Sequence, residues 1–353
     1  MKRTTLVQIG RKLGVSAATV SLALRDHPRV SARRRQQVKE LARRLNYTPD
    51  FVARALVTRR TRVLGLVVAD VGNPYFARLA RRVEDAARER GFGLIITSTD
   101  EDPATERRVL EMMLQRRVDG VVLTSAATSV RELDGFRQAA VPFVLLGRVP
   151  AGARADSVVA DNRLGGYRAT RHLLAVGHRR IAIISGSRAL SDARGRFEGY
   201  AAALREAGCV VDPRLVREVE FSESGGEAAM RDLAHVTPRP DAVFICHNMM
   251  VVGALRALGH LGLRVPEDVA IAGFDEVEWA DVLSPPMTMA EQPTDAMARH
   301  AVELIVERIT GKRGRPRQIV VEPEFHVRGS CGWHLRRSPV SGEQQSQASE
   351  GRP

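Results

Sequence analysis

Gly14 separates two stretches of helical periodicity, and that break limits the possible folds more than any other feature of the sequence. Before it, Leu6, Ile9, Gly10 and Leu13 recur at i, i+3, i+4 and i+7, the spacing of an amphipathic helix. Glycine ends such a helix readily, and Ser16 is a residue type that caps the next one. The stretch from Ala17 to Leu24 predicts a second short helix with Val20 and Leu24 inward. Ser31 caps a third, whose apolar stripe is Val38, Leu41, Ala42 and Leu45. Its other face carries Arg33, Arg34, Arg35, Lys39, Arg43 and Arg44. Two short helices joined by a glycine-containing turn form a helix-turn-helix, whose second helix fits a DNA major groove.

Charge points the same way. Residues 1–62 hold sixteen Lys and Arg against three acids (Asp26, Glu40 and Asp50), a surplus of thirteen that equals the +13 of the whole chain. The remaining residues are therefore balanced. A cationic segment that is also a helix-turn-helix has the electrostatic footprint of a phosphate-binding module.

The stretch Thr5-Leu6-x-x-Ile9-x-x-x-Leu13-Gly14-Val15-Ser16-x-x-Thr19-Val20-Ser21-x-x-Leu24 resembles the amino terminus of the LacI/GalR transcriptional repressors. So do Leu45-Asn46-Tyr47-x-Pro49 and Ala53-Arg54-Ala55-Leu56, and the likeness runs to about residue 332. Gln8 stands where that family usually has an acid, and Gly10 where it usually has alanine, at some cost to helix stability. The resemblance implies a homodimer reading a palindromic operator. The DNA-contacting positions it implies in the head are Thr5, Leu6, Ser16, Ala17, Ala18, Thr19, Ser21, Leu22, Ser31 and Tyr47. From residue types alone, positions 49–62 read as a basic linker. The resemblance makes them a hinge helix that folds on DNA and inserts a leucine into the minor groove, with Ala53 and Arg54 beside the matching Leu56.

From Val63 the pattern changes to short apolar runs alternating with amphipathic helices. Strands are predicted at 63–68, 94–97, 120–123 and 143–146, with helices at 74–90, 103–117 and near 130–140. The pattern restarts around 158–162, with strands at 181–184, 241–246 and 268–273 among four helices. Late strands at 287–290 and 318–321 flank a helix over 294–310. This order implies parallel sheets covered on both faces. The expected fold is a small all-α helix-turn-helix head plus an α/β, periplasmic-binding-protein-like core of two parallel-sheet (Rossmann-like) subdomains. The expected divisions are 1–48 for the head and 49–62 for the hinge. The subdomains are 63–161 with 292–321, and 162–291 with 322–332, the family's crossovers falling near 162, 291 and 322. Residues 333–353, poor in apolar side chains, read as a disordered tail.

Ligands of open α/β sheets bind beyond the carboxyl ends of strands. Those ends carry Asn73, Ser125, Arg148, Arg196, His247 and Asp275. The resemblance marks Asn73-Pro74-Tyr75-Phe76 as a cleft motif with aromatics against an effector, and Arg196 as the arginine that grips its oxygens. It marks Asp275 as a ligand-contacting carboxylate and Phe221 as an aromatic stacking on a bound ring. Where the family shows Asn-Asp after the Val243–Cys246 strand, this chain has His247-Asn248, a histidine that could make the site pH-sensitive. The implied effector is a small molecule, a sugar or related metabolite.

Other classes fit less well. HExxH, GxSxG and GxxxxGK[ST] are absent from the sequence, so no catalytic template is met. No cofactor or metal is expected, and Cys209, Cys246 and Cys331 have no ligand spacing and read as reduced thiols. There is no run of 18 apolar residues and no apolar leader after Met1, so a cytoplasmic, nucleoid-associated protein is expected. A secreted solute-binding protein has no use for the basic head, and an architectural DNA protein has none for the cleft. The tail lacks leucine heptads, which disfavours tetramers of the zipper-tailed kind.

Overall fold

The computed structural model describes residues 4–47 and 60–335. They belong to two compact units, Met1–Thr61 and Arg62–Pro353.

In the first unit, helices span Leu6–Leu13, Ala17–Leu24 and Ala32–Arg44. Thr5 and Gln8 form a reciprocal capping box, so the glutamine does the task of the acid it replaces. Gly14 takes a left-handed conformation (φ 64°) and ends the first helix. Ser16 and Ser31 cap the second and third helices, accepting from the backbone of Thr19 and Arg34. A Cβ on Gly10 would stand 2.6 Å from the Val15 carbonyl oxygen. Its propensity cost is therefore offset by the close turn it permits. The core joins Ile9, Val20, Ala23, Val30, Val38 and Ala42. Ala23 rather than Leu24 is the fully buried partner of Val20, because Leu24 lies at the core's margin beside Leu22.

The second unit holds twelve strands among the described residues: β1 Val63–Val68, β2 Gly93–Ser98, β3 Gly120–Leu123, β4 Phe143–Leu146, β5 Asp156–Ala160, β6 Ile181–Ser185, β7 Val216–Glu218, β8 Ala242–Ile245, β9 Ala270–Phe274, β10 Thr288–Glu291, β11 Gln318–Val321 and β12 Glu324–His326. They make two six-stranded sheets, ordered β11-β5-β4-β3-β1-β2 and β12-β10-β9-β8-β6-β7. The first is wholly parallel, and in the second β12 pairs antiparallel with β10. The chain thus passes between sheets after β5, after β10 and between β11 and β12.

Both faces of each sheet are buried, which is why the strands read as continuous apolar runs. In β1, Leu64, Leu66 and Val68 pack with the helices Pro74–Glu89 and Thr294–Ile309. Val67 faces the other way, toward Leu110, Met113 and Phe136. The helix expected near 130–140 is instead a 3-10 turn, Val130–Leu133, followed by a five-residue helix, Asp134–Gln138. β5, β7 and β12 are not legible as strands in the sequence. The latter two are three-residue edge strands, too short for an alternation to register.

Candidate functional site

The C-terminal strand ends of the two sheets bring together a buried polar cluster. Asn73 caps the Pro74–Glu89 helix, its Oδ1 accepting from the Tyr75 backbone N–H at 3.0 Å. A backbone N–H can only donate, so this bond fixes the amide orientation. Nδ2 of Asn73 then donates to Asn248 Oδ1 at 3.1 Å and faces His247 Nε2 at 3.2 Å. The Asn248 amide returns a bond to Asn73 Oδ1 at 2.7 Å. Because Asn73 Nδ2 offers only hydrogens, His247 Nε2 must accept, which places the imidazole proton on Nδ1. That nitrogen is buried and without a partner among the described residues.

Arg196, on the helix Ser191–Glu206, is 2% exposed. Its guanidinium lies 3.8 Å from the centroid of the Phe274 ring and forms a two-pronged pair with Asp275, at 3.0 and 3.2 Å. It also donates to Asn162 Oδ1 at 2.8 Å and to the Cys246 carbonyl. Asp275 follows β9 in a left-handed conformation (φ 66°) and accepts from Gln292 Nε2 at 2.6 Å. Arg148, after β4, donates to Asp192 Oδ2 at 2.8 Å and to both oxygens of Glu101. It lies 5.2 Å from the Phe221 ring, which in turn packs 4.7 Å from His247. Burial alone would raise the Asp192 carboxyl, but Arg148 and Arg196 hold it below the ordinary range.

Tyr75, Phe76, Arg148, Arg196, His247 and Asp275 all line one cavity, together with Thr124, Gly147, Asp192 and Gln292. Asn73 bridges across it, and Phe221 backs Arg148 and His247 from behind. Ser125 is a correction: its hydroxyl donates to the buried Glu106 at 2.8 Å, and the neighbouring Thr124 lines the cavity instead. Strand alternation explains the exchange, since successive side chains point to opposite faces. Sequence reasoning also missed Asp192 and Gln292. Asp192 lies four residues before Arg196 on one helix face, a spacing that could have found it.

The expectation of a pH-sensitive His247 fails near neutrality. Burial pushes its pKa down to about 4, with Asp275 opposing and Arg196 and Arg148 assisting. The imidazole is neutral in the folded protein wherever pH exceeds that value. Unfolding returns it toward about 6.5, so the unfolded chain binds more protons between about 6.5 and 4, and stability falls as pH drops through that window. Acid titration of His247→Gln against the parent chain should show the variant losing less stability, by on the order of 3 kcal/mol near pH 4. Parallel curves would refute the assignment.

In the head, Ala18 is exposed at the start of the second helix and Ala17 is half-buried. Leu22 is half-buried against the core. Ser16 and Thr19 share a 2.9 Å hydroxyl contact, and Ser21 accepts from Arg25 at 3.0 Å. The basic face divides. Arg34 and Arg35 donate to the carbonyls of Leu13, Asp26 and His27, and Lys39 pairs with Asp26 at 2.6 Å. Arg33, Arg43 and Arg44 are exposed, with no side-chain partner among the described residues. Ala53, Arg54 and Leu56 lie outside the described residues.

Residues 5–50 match the family model "Bacterial regulatory proteins, lacI family", and residues 170–331 match "Periplasmic binding protein-like domain". The ribose operon repressor of Haemophilus influenzae is 35% identical over 92% of this chain and 98% of its own length. The transcriptional regulator CelR of Thermobifida fusca is 37% identical over 93% and 98%. A solved CelR–cellobiose complex is 36% identical, with a TM-score of 0.71 over 93% of this chain and all of the other. The operator-bound lac repressor dimer shares the fold at 22% identity, with a TM-score of 0.83 over 94% and 99%. The chain therefore belongs to the lacI family of bacterial regulatory proteins, and is a DNA-binding transcriptional regulator rather than an enzyme.

Proposed function

We propose that this protein represses transcription as a homodimer on a palindromic operator, and that a polyhydroxylated small molecule, a sugar or sugar-like metabolite, controls it from the cleft. One observation carries the ligand class. Three buried polar atoms on residues that line the cavity have no partner among the described residues: His247 Nδ1–H, a donor; Asp192 Oδ1, an acceptor; and Thr124 Oγ1, which can be either. A hydroxyl-rich ligand meets such a mixture, because each hydroxyl both donates and accepts. Arg196 and Asp275, now paired with each other, supply the further charged contacts. A relative named for the ribose operon and another solved with cellobiose support the same class.

The free space in the cavity is about 20 Å³, room for roughly one water. A sugar therefore enters only when bonds such as Asn73–Asn248 and Arg148–Asp192 release. Ligand and cross-cleft bonds compete, which gives the two-state element that an effector can bias. Calorimetric titration with ribose, cellobiose and a purine base tests the class. Saturable binding of a sugar, abolished by Asp192→Asn, is expected; binding of the purine alone would overturn it.

We assign 1–48 to the head, 49–62 to a hinge, 63–161 with 292–321 and 162–291 with 322–332 to the subdomains, and 333–353 to a tail. The protein acts in the cytoplasm, where its operator is. Ala17, Ala18 and Leu22 cannot donate to base edges, so readout there is by thymine methyl contact and shape. Selection of genomic fragments on the full-length protein, followed by sequencing, should recover a palindrome. On that site, Ala18→Gln is expected to change sequence preference. Arg33→Gln should weaken cognate and random duplexes alike and lower the salt slope by about 2, about 1 for each protomer of the dimer. Equal losses from both variants on both duplexes would refute the division of roles.

A further inference from the structure

The two subdomains are built alike but charged differently at matching edges. All six strands of the first sheet are parallel, so their N-terminal ends share one edge. The segments leading into those strands (60–62, 90–92, 116–119, 139–142, 153–155 and 310–317) contain ten Lys and Arg, all exposed, and one acid, Asp119. The segments leading into the five parallel strands of the second sheet (177–180, 207–215, 235–241, 261–269 and 282–287) contain five Arg and four acids. There the charges neutralise one another: Arg180 and Arg214 pair with Asp212 at 3.2 and 2.9 Å, and Arg264 pairs with Asp268 at 3.1 Å.

Complementing helix dipoles does not explain the difference. Basic residues at helix C-termini are favourable in both subdomains, which present the same helix ends. In the first, Lys312 and Arg317 pair with Glu307, but other cations of the edge are left without a counter-charge. Arg154, Arg313 and Arg315 have no side-chain partner among the described residues. The one buried carboxylate beside them, Asp156, is already neutralised by Arg308 at 2.6 Å. This is also the edge at which the chain arrives from the head, at Arg62 immediately before β1. β1 and β11 are four strand spacings apart, about 19 Å. The linker enters the sheet that carries the basic edge, whereas the balanced edge belongs to the other sheet.

We propose that this edge is a second DNA-contacting surface, in which Arg154, Arg313 and Arg315 hold phosphates flanking the bases that the head reads. The proposal rests on the DNA-binding reading above. It adds affinity and salt dependence without sequence information, because phosphate contacts position a protein but do not specify a base.

The test uses the full-length protein and the triple variant Arg154→Gln/Arg313→Gln/Arg315→Gln, with Arg205→Gln/Arg239→Gln on the other subdomain as control. Binding is measured over a range of salt on the selected operator, with and without about 20 flanking base pairs, and on a random duplex of the longer length. The wild type and control should gain at least tenfold from the flanks. The triple variant should lose that gain while keeping its thermal midpoint and its affinity for the short operator. Its slope of log affinity against log salt should be shallower by two or more on both long duplexes, since each phosphate no longer neutralised removes about 0.9 from the slope. Equal slopes and equal flank gains in variant and wild type would overturn the proposal. A wild type that prefers no sequence would defeat the operator reading, while the slope on the random duplex would still report on the edge.

Discussion

Replacing Arg196 with methionine is expected to lower unfolding stability by about 3–5 kcal/mol, the cost of leaving a buried carboxylate without its cation. Arg196 and Asp275 are 2% exposed each, and the two prongs between them are 3.0 and 3.2 Å long. Methionine replaces part of the apolar stem but cannot satisfy Asp275, Asn162 Oδ1 or the Cys246 carbonyl. Gln292 would remain as a single neutral donor to Asp275. Removing the charge from both sides should cost less than the single change. Arg196→Met/Asp275→Asn should therefore recover about half of the loss, and asparagine tolerates the left-handed backbone at position 275. Urea unfolding of the parent, both single variants and the double variant measures the coupling. A single-variant loss below about 1 kcal/mol would show that water reaches the pair and screens it.

Gly199→Ala should be nearly as damaging, and for a reason that lies wholly in packing. The helices Asn162–Val176 and Ser191–Glu206 cross so closely that a Cβ at position 199 would lie 2.1 Å from the Arg163 carbonyl oxygen and 2.5 Å from the Tyr167 nitrogen. A Cβ on Gly166 would meet the Arg196 carbonyl oxygen at 2.3 Å from the opposite side. Both obstacles are backbone, so no rotamer relieves them and the helices must separate. Overpacking costs about 1–3 kcal/mol where side chains can shift, and the upper end or more is expected here. Helix propensity alone predicts the opposite sign, a gain of about 1 kcal/mol. The separation would also pull Asn162 from Arg196, so effector affinity should fall together with the thermal midpoint. A variant more stable than the parent would show that the helices relax without cost.

The features that could be read directly are those whose causes lie within about seven residues. The head follows from apolar spacing around Gly14 and from two hydroxyl caps, at Ser16 and Ser31. The parallel sheets follow from runs such as Val63–Val68, whose apolar residues serve both faces. Misreadings arise where the deciding atom is distant. Gly10 reads as a weakness of its helix unless the Val15 carbonyl beside it is known. Ser125 sits at a strand end as expected, but Glu106, nineteen residues earlier, takes its hydroxyl. His247 fits a pH sensor on residue type alone, and only complete burial makes it a neutral group near pH 7.

Sequence by itself thus determined the order and class of most elements, the cationic head and the places where strand ends would gather polar side chains. Periodicity, capping and charge are local or additive properties, and they survive without knowledge of neighbours. Tertiary structure alone decided which of those side chains meet. Asn73 bonds Asn248 across 175 positions, and Arg148 bonds Asp192 across 44. Those pairings depend on two sheets closing over one cavity. In so confined a space a buried polar group must find whichever partner the fold brings within about 3 Å, because leaving it unpaired costs more than the bond itself gains.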